Sequence, residues 1–446
     1  MGAPTEAAAF HTRGLHWASE TMSRDELHAL QLGRLRKTLA NAHRHVAWQR
    51  ERMDAAGLQP DALRELSELR RLPFTLKSDL REHYPFGLFA RPLAGLARLH
   101  ASSGTTGRPT VVGYTSGDLQ RWADLVARSF YCAGVRPGDL VHNAYGYGLF
   151  TGGLGAHDGA ARLGCPVVPL SGGGSERQIA LIMDFHPRVL CATPSYALVL
   201  AEVAAQQGVD LRDSGLAIGM FGAEPWSAAM REEIEARIGL RAVDIYGLSE
   251  IMGPGVACEC ACRNGLHGWE DHFLFEVIDP DTGAVLDDGE VGELVITTLT
   301  KEALPMLRYR TRDMTRLCRQ RCDCGRTHTR ILRVTGRSDD MLIIRGVNVY
   351  PSQIEAVLVG RPGLSPNYQI VVSREGVLDQ LRVEVEAEPG VPPDGWEALA
   401  ADAVRHIKSM IGVTAEVVLR APGGLPRSQG KAVRVRDLRA KAVATA

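Results

Sequence analysis

No stretch of this 446-residue chain approaches the ~18 consecutive apolar residues of a membrane-spanning helix. Met1 to Trp17 lacks a basic start followed by an apolar core, so no secretory leader is expected and a cytoplasmic location is. Charge of one sign is missing too: 51 Lys+Arg stand against 52 Asp+Glu. That balance leaves no electrostatic footprint for nucleic acid or an anionic membrane. Basic stripes interleaved with aromatics are absent, which speaks against a nucleic-acid module. There is no internal repeat and no low-complexity tract. What is present is an apolar content of 45%, spread along the chain as in a globular protein. At ~150 residues per domain, two or three domains are expected.

The cysteines number nine, an odd count. Cys132, Cys165 and Cys191 sit singly in apolar surroundings and read as buried small hydrophobes. The other six fall between Cys258 and Cys324, and clustered thiols in a cytosolic protein suggest metal before disulfide.

Residues 22–100 read mostly as helices, with Leu27, Leu30, Leu32 and Leu35 at roughly helical spacing. From about 100 to 260 short apolar strands (141–144, 189–192) alternate with amphipathic helices (178–185, 228–238). This rhythm predicts a largely parallel sheet covered on both faces. After 270 the segments 273–278 and 293–298, separated by the turn Asp279-Pro280-Asp281-Thr282-Gly283, predict an antiparallel β subdomain. The composition restarts near 337. There 380–386 alternates charged and apolar residues as a half-exposed strand, 396–411 reads as a helix, and 415–419 as a last strand.

The strongest local signal for chemistry is Ser102-Ser103-Gly104-Thr105-Thr106-Gly107-Arg108-Pro109-Thr110. Its glycines let backbone approach an anion closely and its hydroxyls supply donors. It is not a Walker A loop, because the Gly-Lys-[Ser/Thr] ending is missing. Four more segments follow: Tyr246-Gly247-Leu248-Ser249-Glu250, Tyr309-Arg310-Thr311-Arg312-Asp313, Gly336-Arg337-Ser338-Asp339-Asp340 and Arg427-Ser428-Gln429-Gly430-Lys431. In order and spacing they resemble the adenylate-forming superfamily of acyl-CoA ligases, luciferases and peptide-synthetase adenylation domains. The segments 145–155, 249–256 and 299–305 narrow the resemblance to the phenylacetate–CoA ligase family. Where many superfamily members carry a phosphate-loop lysine, this sequence has Thr110, as that branch does.

The resemblance implies an α/β fold in two parts. Residues 1–337 would form a large ATP- and acid-binding adenylation domain with parallel sheets and a β subdomain. Residues 338–446 would form a small mobile α+β domain carrying the catalytic lysine. The implied reaction joins an arylacetic acid, phenylacetate foremost, to coenzyme A through an acyl-adenylate, with ATP giving AMP and pyrophosphate. Indoleacetate, benzoate or a hydroxylated ring stays open, as does loading of a carrier protein instead of CoA. A homodimer is implied by the resemblance alone.

Site residues follow from chemistry and resemblance together. Ser102, Ser103, Gly104, Thr105, Thr106 and Gly107 would hold the ATP phosphates. Gly222, Ala223, Glu224, Asp244, Tyr246 and Gly247 match nucleotide-contacting positions, Asp313 the carboxylate that accepts the ribose hydroxyls, and Arg337 an arginine near ribose and phosphate. Glu250 matches the ligand of Mg²⁺, a hard cation suited to carboxylate and phosphate oxygens. Attack by an already ionised carboxylate on the α-phosphate needs no general base, only charge stabilisation as two anions meet; Lys431 is the candidate. Tyr145, Tyr147, Phe150, Gly152 and Gly153 offer aromatic walls and room for a flat ring. Asp339 matches the hinge, and Arg345, Gly346 and Val347 the CoA tunnel. In the thiol cluster, ligands at short spacing suit tetrahedral zinc. Cys260, His267, Cys322 and Cys324 are the expected structural set, with Cys258, Cys262 and Cys318 as rivals.

Overall fold

The computed structural model describes residues 17–102, 109–345, 347–375, 378–427 and 432–439. Ser103, Gly104, Thr105, Thr106, Gly107, Gly346 and Lys431 lie outside the described residues.

The chain opens on helix Arg24–His45, started by a capping box in which Ser23 and Glu26 satisfy each other's backbone amides. Its buried stripe is Leu27, Gln31, Leu35, Leu39 and Ala42, while Leu30 and Leu32 are only half-buried. The largely helical reading of 22–100 holds only as far as Ala55. Beyond it Lys77–Glu82 is the sole α-helix before strand Arg98–Ser102, and the rest is 3-10 turns and loop. Pro60, Pro73, Pro85 and Pro92 recur too closely for long helices to run between them.

The predicted parallel sheet is present: strands 241–248, 218–221, 189–192, 141–143 and 167–168 lie side by side, all parallel. Helices Ser116–Ala133, Thr151–Leu163, Ser175–Phe185, Pro194–Gln206 and Ala228–Ile238 connect or flank them. This sheet does not stop at 260. Strands 253–259, 266–268, 330–331 and 317–318 extend it antiparallel to nine strands, so the cysteine-bearing segments belong to its far edge. The antiparallel β subdomain is a separate four-stranded sheet of 273–278, 292–298, 309–315 and 336–337.

The C-terminal part has its own four-stranded sheet, ordered 416–420, 378–387, 364–375 and 435–437, with helices Pro351–Leu358 and Trp396–Ile411. Strand 435–437 comes after the segment expected to be last; its three residues, Val435-Arg436-Asp437, left too little apolar pattern to mark it. No helix among the described residues is long and apolar enough to cross a membrane.

Candidate active site and metal cluster

Strand Arg241–Leu248 carries one side of the site, and the turn that follows carries Glu250. Gly247 is required there, because a Cβ would lie 1.9 Å from the Gly253 carbonyl oxygen across the turn. Glu250 is almost wholly buried, and Lys77 Nζ stands 3.2 Å from its carboxylate. The turn is held from below: Lys301 Nζ donates to the Glu250 carbonyl at 3.0 Å, and Tyr114 Oη donates to the Ser249 carbonyl at 3.3 Å. Lys301 is fully buried, and burial draws its pKa down to about 8 despite nearby Asp118 and Glu250. Neither Lys77 nor Lys301 was given a role from sequence. A lone lysine carries no pattern that marks it as a partner of a residue over 170 or 50 positions away.

Tyr246 Oη donates to Asp313 at 2.5 Å, and Arg337 Nη1 reaches the other Asp313 oxygen at 3.6 Å. The Arg337 guanidinium also forks onto Asp339 at 2.8 and 2.9 Å. Burial pushes the Tyr309 hydroxyl well up, with smaller charge effects from Glu250, Arg337, Asp313 and Asp339. Asp313 is buried beside an arginine and a tyrosine hydroxyl. Ala223 stands at φ 73°, a left-handed position, between Gly222 and Glu224. The Glu224 carboxylate accepts from the Ser195 and Ala432 amides at 2.7 and 2.8 Å. Burial and neighbouring Glu259 push the Asp244 carboxyl up to about 7.

Ser102 and Thr110 face each other at the base of the phosphate-loop segment. Both side-chain oxygens are buried without a hydrogen-bond partner among the described residues. Orphan hydroxyls are costly unless something else takes their bonds, so they suit an anion or water held at that end.

On the proposed aryl wall, Tyr145 is buried with its hydroxyl on the Met220 carbonyl, and a Cβ added at Gly152 would meet its ring at 3.6 Å. Tyr147 receives a bond from Asn143 and meets His157 at 3.1 Å. Gly153 serves close packing instead of ring space, since a Cβ there would sit 2.5 Å from the Gly146 carbonyl. Phe150 is the N-cap of helix 151–163 and is 51% exposed, so the structure does not bring it into the buried wall. Arg345 lies in the hairpin between 342–344 and 347–349, at φ 50°, with its guanidinium on the Thr414 carbonyl.

Cys260, His267, Cys322 and Cys324 converge, with one ligand atom from each lying within 4.8 Å of the others. Cys260 and Cys322 sulfurs are 3.8 Å apart, and Cys324 Sγ is 3.4 Å from His267 Nε2. Zinc–ligand bonds of ~2.3 Å to sulfur and ~2.1 Å to nitrogen give tetrahedral edges of about 3.8 and 3.6 Å. The rival thiols point elsewhere: Cys258 packs on the Ser129 carbonyl, Cys262 is exposed, and Cys318 meets Arg330. The cluster sits past the far end of strand 253–259 from the Glu250 turn. At ~3.3 Å per residue that is roughly 20 Å away.

Comparison with known proteins decides what this arrangement belongs to. The AMP-binding enzyme model matches residues 92–300, and the AMP-binding enzyme C-terminal domain matches 346–439. A phenylacetate–coenzyme A ligase from Thermus thermophilus is 54% identical over 94% of this chain and 98% of its own. One from Escherichia coli is 55% identical over 94% and 97%. The chain belongs to the phenylacetate–coenzyme A ligase family. Its family makes it an AMP-forming acid–thiol ligase. Among solved structures, 2-hydroxyisobutyryl-CoA ligase with a bound acyl-AMP in the postadenylation state superposes with TM-score 0.90 at 32% identity, covering 96% of this chain and 93% of that one. The same enzyme with CoA in the thioesterification state gives 0.71 at 33% identity, covering 97% and 94%.

Proposed function

We propose that this ligase activates phenylacetate or a close arylacetate, in two steps at one site. The observation that carries the proposal is the Tyr246–Asp313–Arg337 network, which joins three segments of the chain next to the turn that carries Glu250. In the first step the acid's carboxylate oxygen bonds to the α-phosphorus of ATP and pyrophosphate leaves. In the second, the CoA thiol attacks the acyl carbon and AMP leaves.

Asp313 accepts the ribose hydroxyls, Arg337 steadies it from the boundary, and the 102–110 loop takes the phosphates. Glu250 would hold Mg²⁺, which neutralises phosphate charge when bound. Lys431 supplies the cation between the carboxylate and α-phosphate oxygens. Tyr145 and Gly152 favour a flat ring. Residues 1–337 and 338–446 are the two moving bodies, with Asp339 at the hinge and Arg345, Gly346 and Val347 turning to the CoA tunnel afterwards. Higher similarity to the postadenylation state than to the thioesterification state of one enzyme supports the adenylating pose for this structure. The reading includes a cytoplasmic location, which suits nine unpaired thiols, and the homodimer carried by the resemblance.

Phenylacetate should exceed aliphatic acids of similar length by at least about tenfold in kcat/KM, since a ring in an apolar slot gains from buried area. Pyrophosphate release across a panel of acids measures this. A preference for acetate or fatty acids would remove the arylacetate assignment.

The Cys260–His267–Cys322–Cys324 set is proposed to hold structural zinc, because its edges fit a tetrahedron and its distance from Glu250 excludes contact with substrate. Cys322→Ser should abolish stoichiometric zinc and lower Tm by at least about 5 °C, as loss of a metal clip does. Elemental analysis with calorimetry checks it; protein purified without chelator and free of metal would refute the site.

A further inference from the structure

The segment that ends in Lys431 is gripped on both flanks by the N-terminal part of the chain. Arg427 Nη2 meets Glu202 Oε1 at 2.7 Å and its Nε meets Oε2 at 3.0 Å. The same guanidinium takes both oxygens of Glu386 at 2.7 Å, and Glu386 is 1% exposed. One arginine is therefore saturated by two carboxylates, one from each part. On the other flank, Ala432, covalently next to Lys431, donates its amide to Glu224 at 2.8 Å. Arg434 then reaches Ser195 Oγ at 3.2 Å.

The two carboxylates of the Arg427 fork differ in what they can do. Glu386 lies on strand 378–387 of the same small sheet, and also accepts the Leu425 amide at 2.7 Å, so it travels with Arg427 in any rotation of that part. Glu202 lies on helix Pro194–Gln206 of the large part, three-quarters buried at the boundary, and stays behind. Only the Glu202 half of the fork must break when the small part swings. A bidentate, charge-assisted pair fixes both distance and orientation, which a single long-range charge does not.

We propose that Glu202 is a positioning residue for adenylation: it locks Arg427, and through it the start of the Lys431 loop, in the pose that serves the first half-reaction alone. The proposal rests on the reading of Lys431 as the adenylation cation. Glu202 acts through Arg427, so its loss changes how often the loop is in place and not how substrates bind. A merely structural role would damage both half-reactions together.

The test compares single-turnover rates for the two half-reactions in Glu202→Gln, which keeps the shape and removes the charge, with Lys431→Ala alongside. Glu202→Gln should slow acyl-adenylate formation roughly tenfold, the size of one lost charge-assisted bond. The KM for ATP should not move, and CoA capture of supplied acyl-adenylate should proceed at the parent rate. Added to Arg427→Gln, it should cost little further, because the bond it removes is already gone. Equal loss in both half-reactions, or full additivity in the double variant, overturns the assignment. So does normal adenylation in Glu202→Gln while Lys431→Ala is crippled. Normal adenylation in Lys431→Ala would overturn the underlying reading, and the proposal with it.

Discussion

Lys431→Ala should cut acyl-adenylate formation by at least about 100-fold, the range seen when a preorganised charge-stabilising donor is removed from a reacting centre. The reason lies in the charges. An arylacetate is fully ionised near neutrality, so no base is wanted, but the nucleophile and the triphosphate repel each other as they close. An ammonium between their oxygens offsets that repulsion most strongly where the new bond forms. The thioester step has no such meeting of anions, since AMP is already the leaving group. CoA capture from supplied phenylacetyl-adenylate should therefore stay close to the parent rate. Single-turnover quenched flow separates the two; equal loss in both would show a general role for the residue instead.

Asp339→Pro should give the opposite split. Lys431 must stand over the α-phosphate first, yet the CoA thiol must later reach the same carbonyl carbon. The 338–446 part has to turn away between steps. Asp339 sits in the turn directly after strand Gly336–Arg337, half-exposed and forked by Arg337. Proline fixes φ near −65°, which holds one pose. A few boundary residues can absorb a domain rotation, and blocking one blocks the swing. Where that φ fits the adenylating pose, adenylation survives while thioesterification falls by orders of magnitude. A folded Asp339→Pro variant with unchanged thioesterification would reject Asp339 as the hinge.

Much of this was legible in the chain. Strand 189–192 and helices 228–238 and 396–411 fall where periodicity placed them. Local pattern is enough when an element's buried face repeats at its own period. In the thiol quartet the sequence favoured Cys260 over its rival Cys258, and the structure brings Cys260 together with His267, Cys322 and Cys324. That convergence depends on strand 330–331 pairing with 266–267, which swings the 322–324 loop over the end of strand 253–259. Phe150 shows the reverse: an aromatic within a Gly-rich run suggested a wall, but at a helix N-cap its side chain faces out. Glu224 matched a nucleotide position, and the pattern did not show that its carboxylate binds two amides, one of them over 200 residues away. Glu202 carried no signal, and Lys301, though inside the family-like segment 299–305, gave no hint of its bond to the Glu250 carbonyl, because both partners are supplied only by the tertiary fold.

The acyl-adenylate itself is the central claim, and oxygen isotope transfer tests it most directly. With phenylacetate labelled by ¹⁸O in its carboxylate, attack on the α-phosphorus places a carboxylate oxygen in the bridge to AMP. Thiol attack on the acyl carbon then leaves that oxygen on the nucleotide. Mass spectrometry of the products should find one ¹⁸O in the AMP phosphate per turnover and none in pyrophosphate. Unlabelled AMP, or label in inorganic phosphate with ADP as the nucleotide product, would contradict the mechanism.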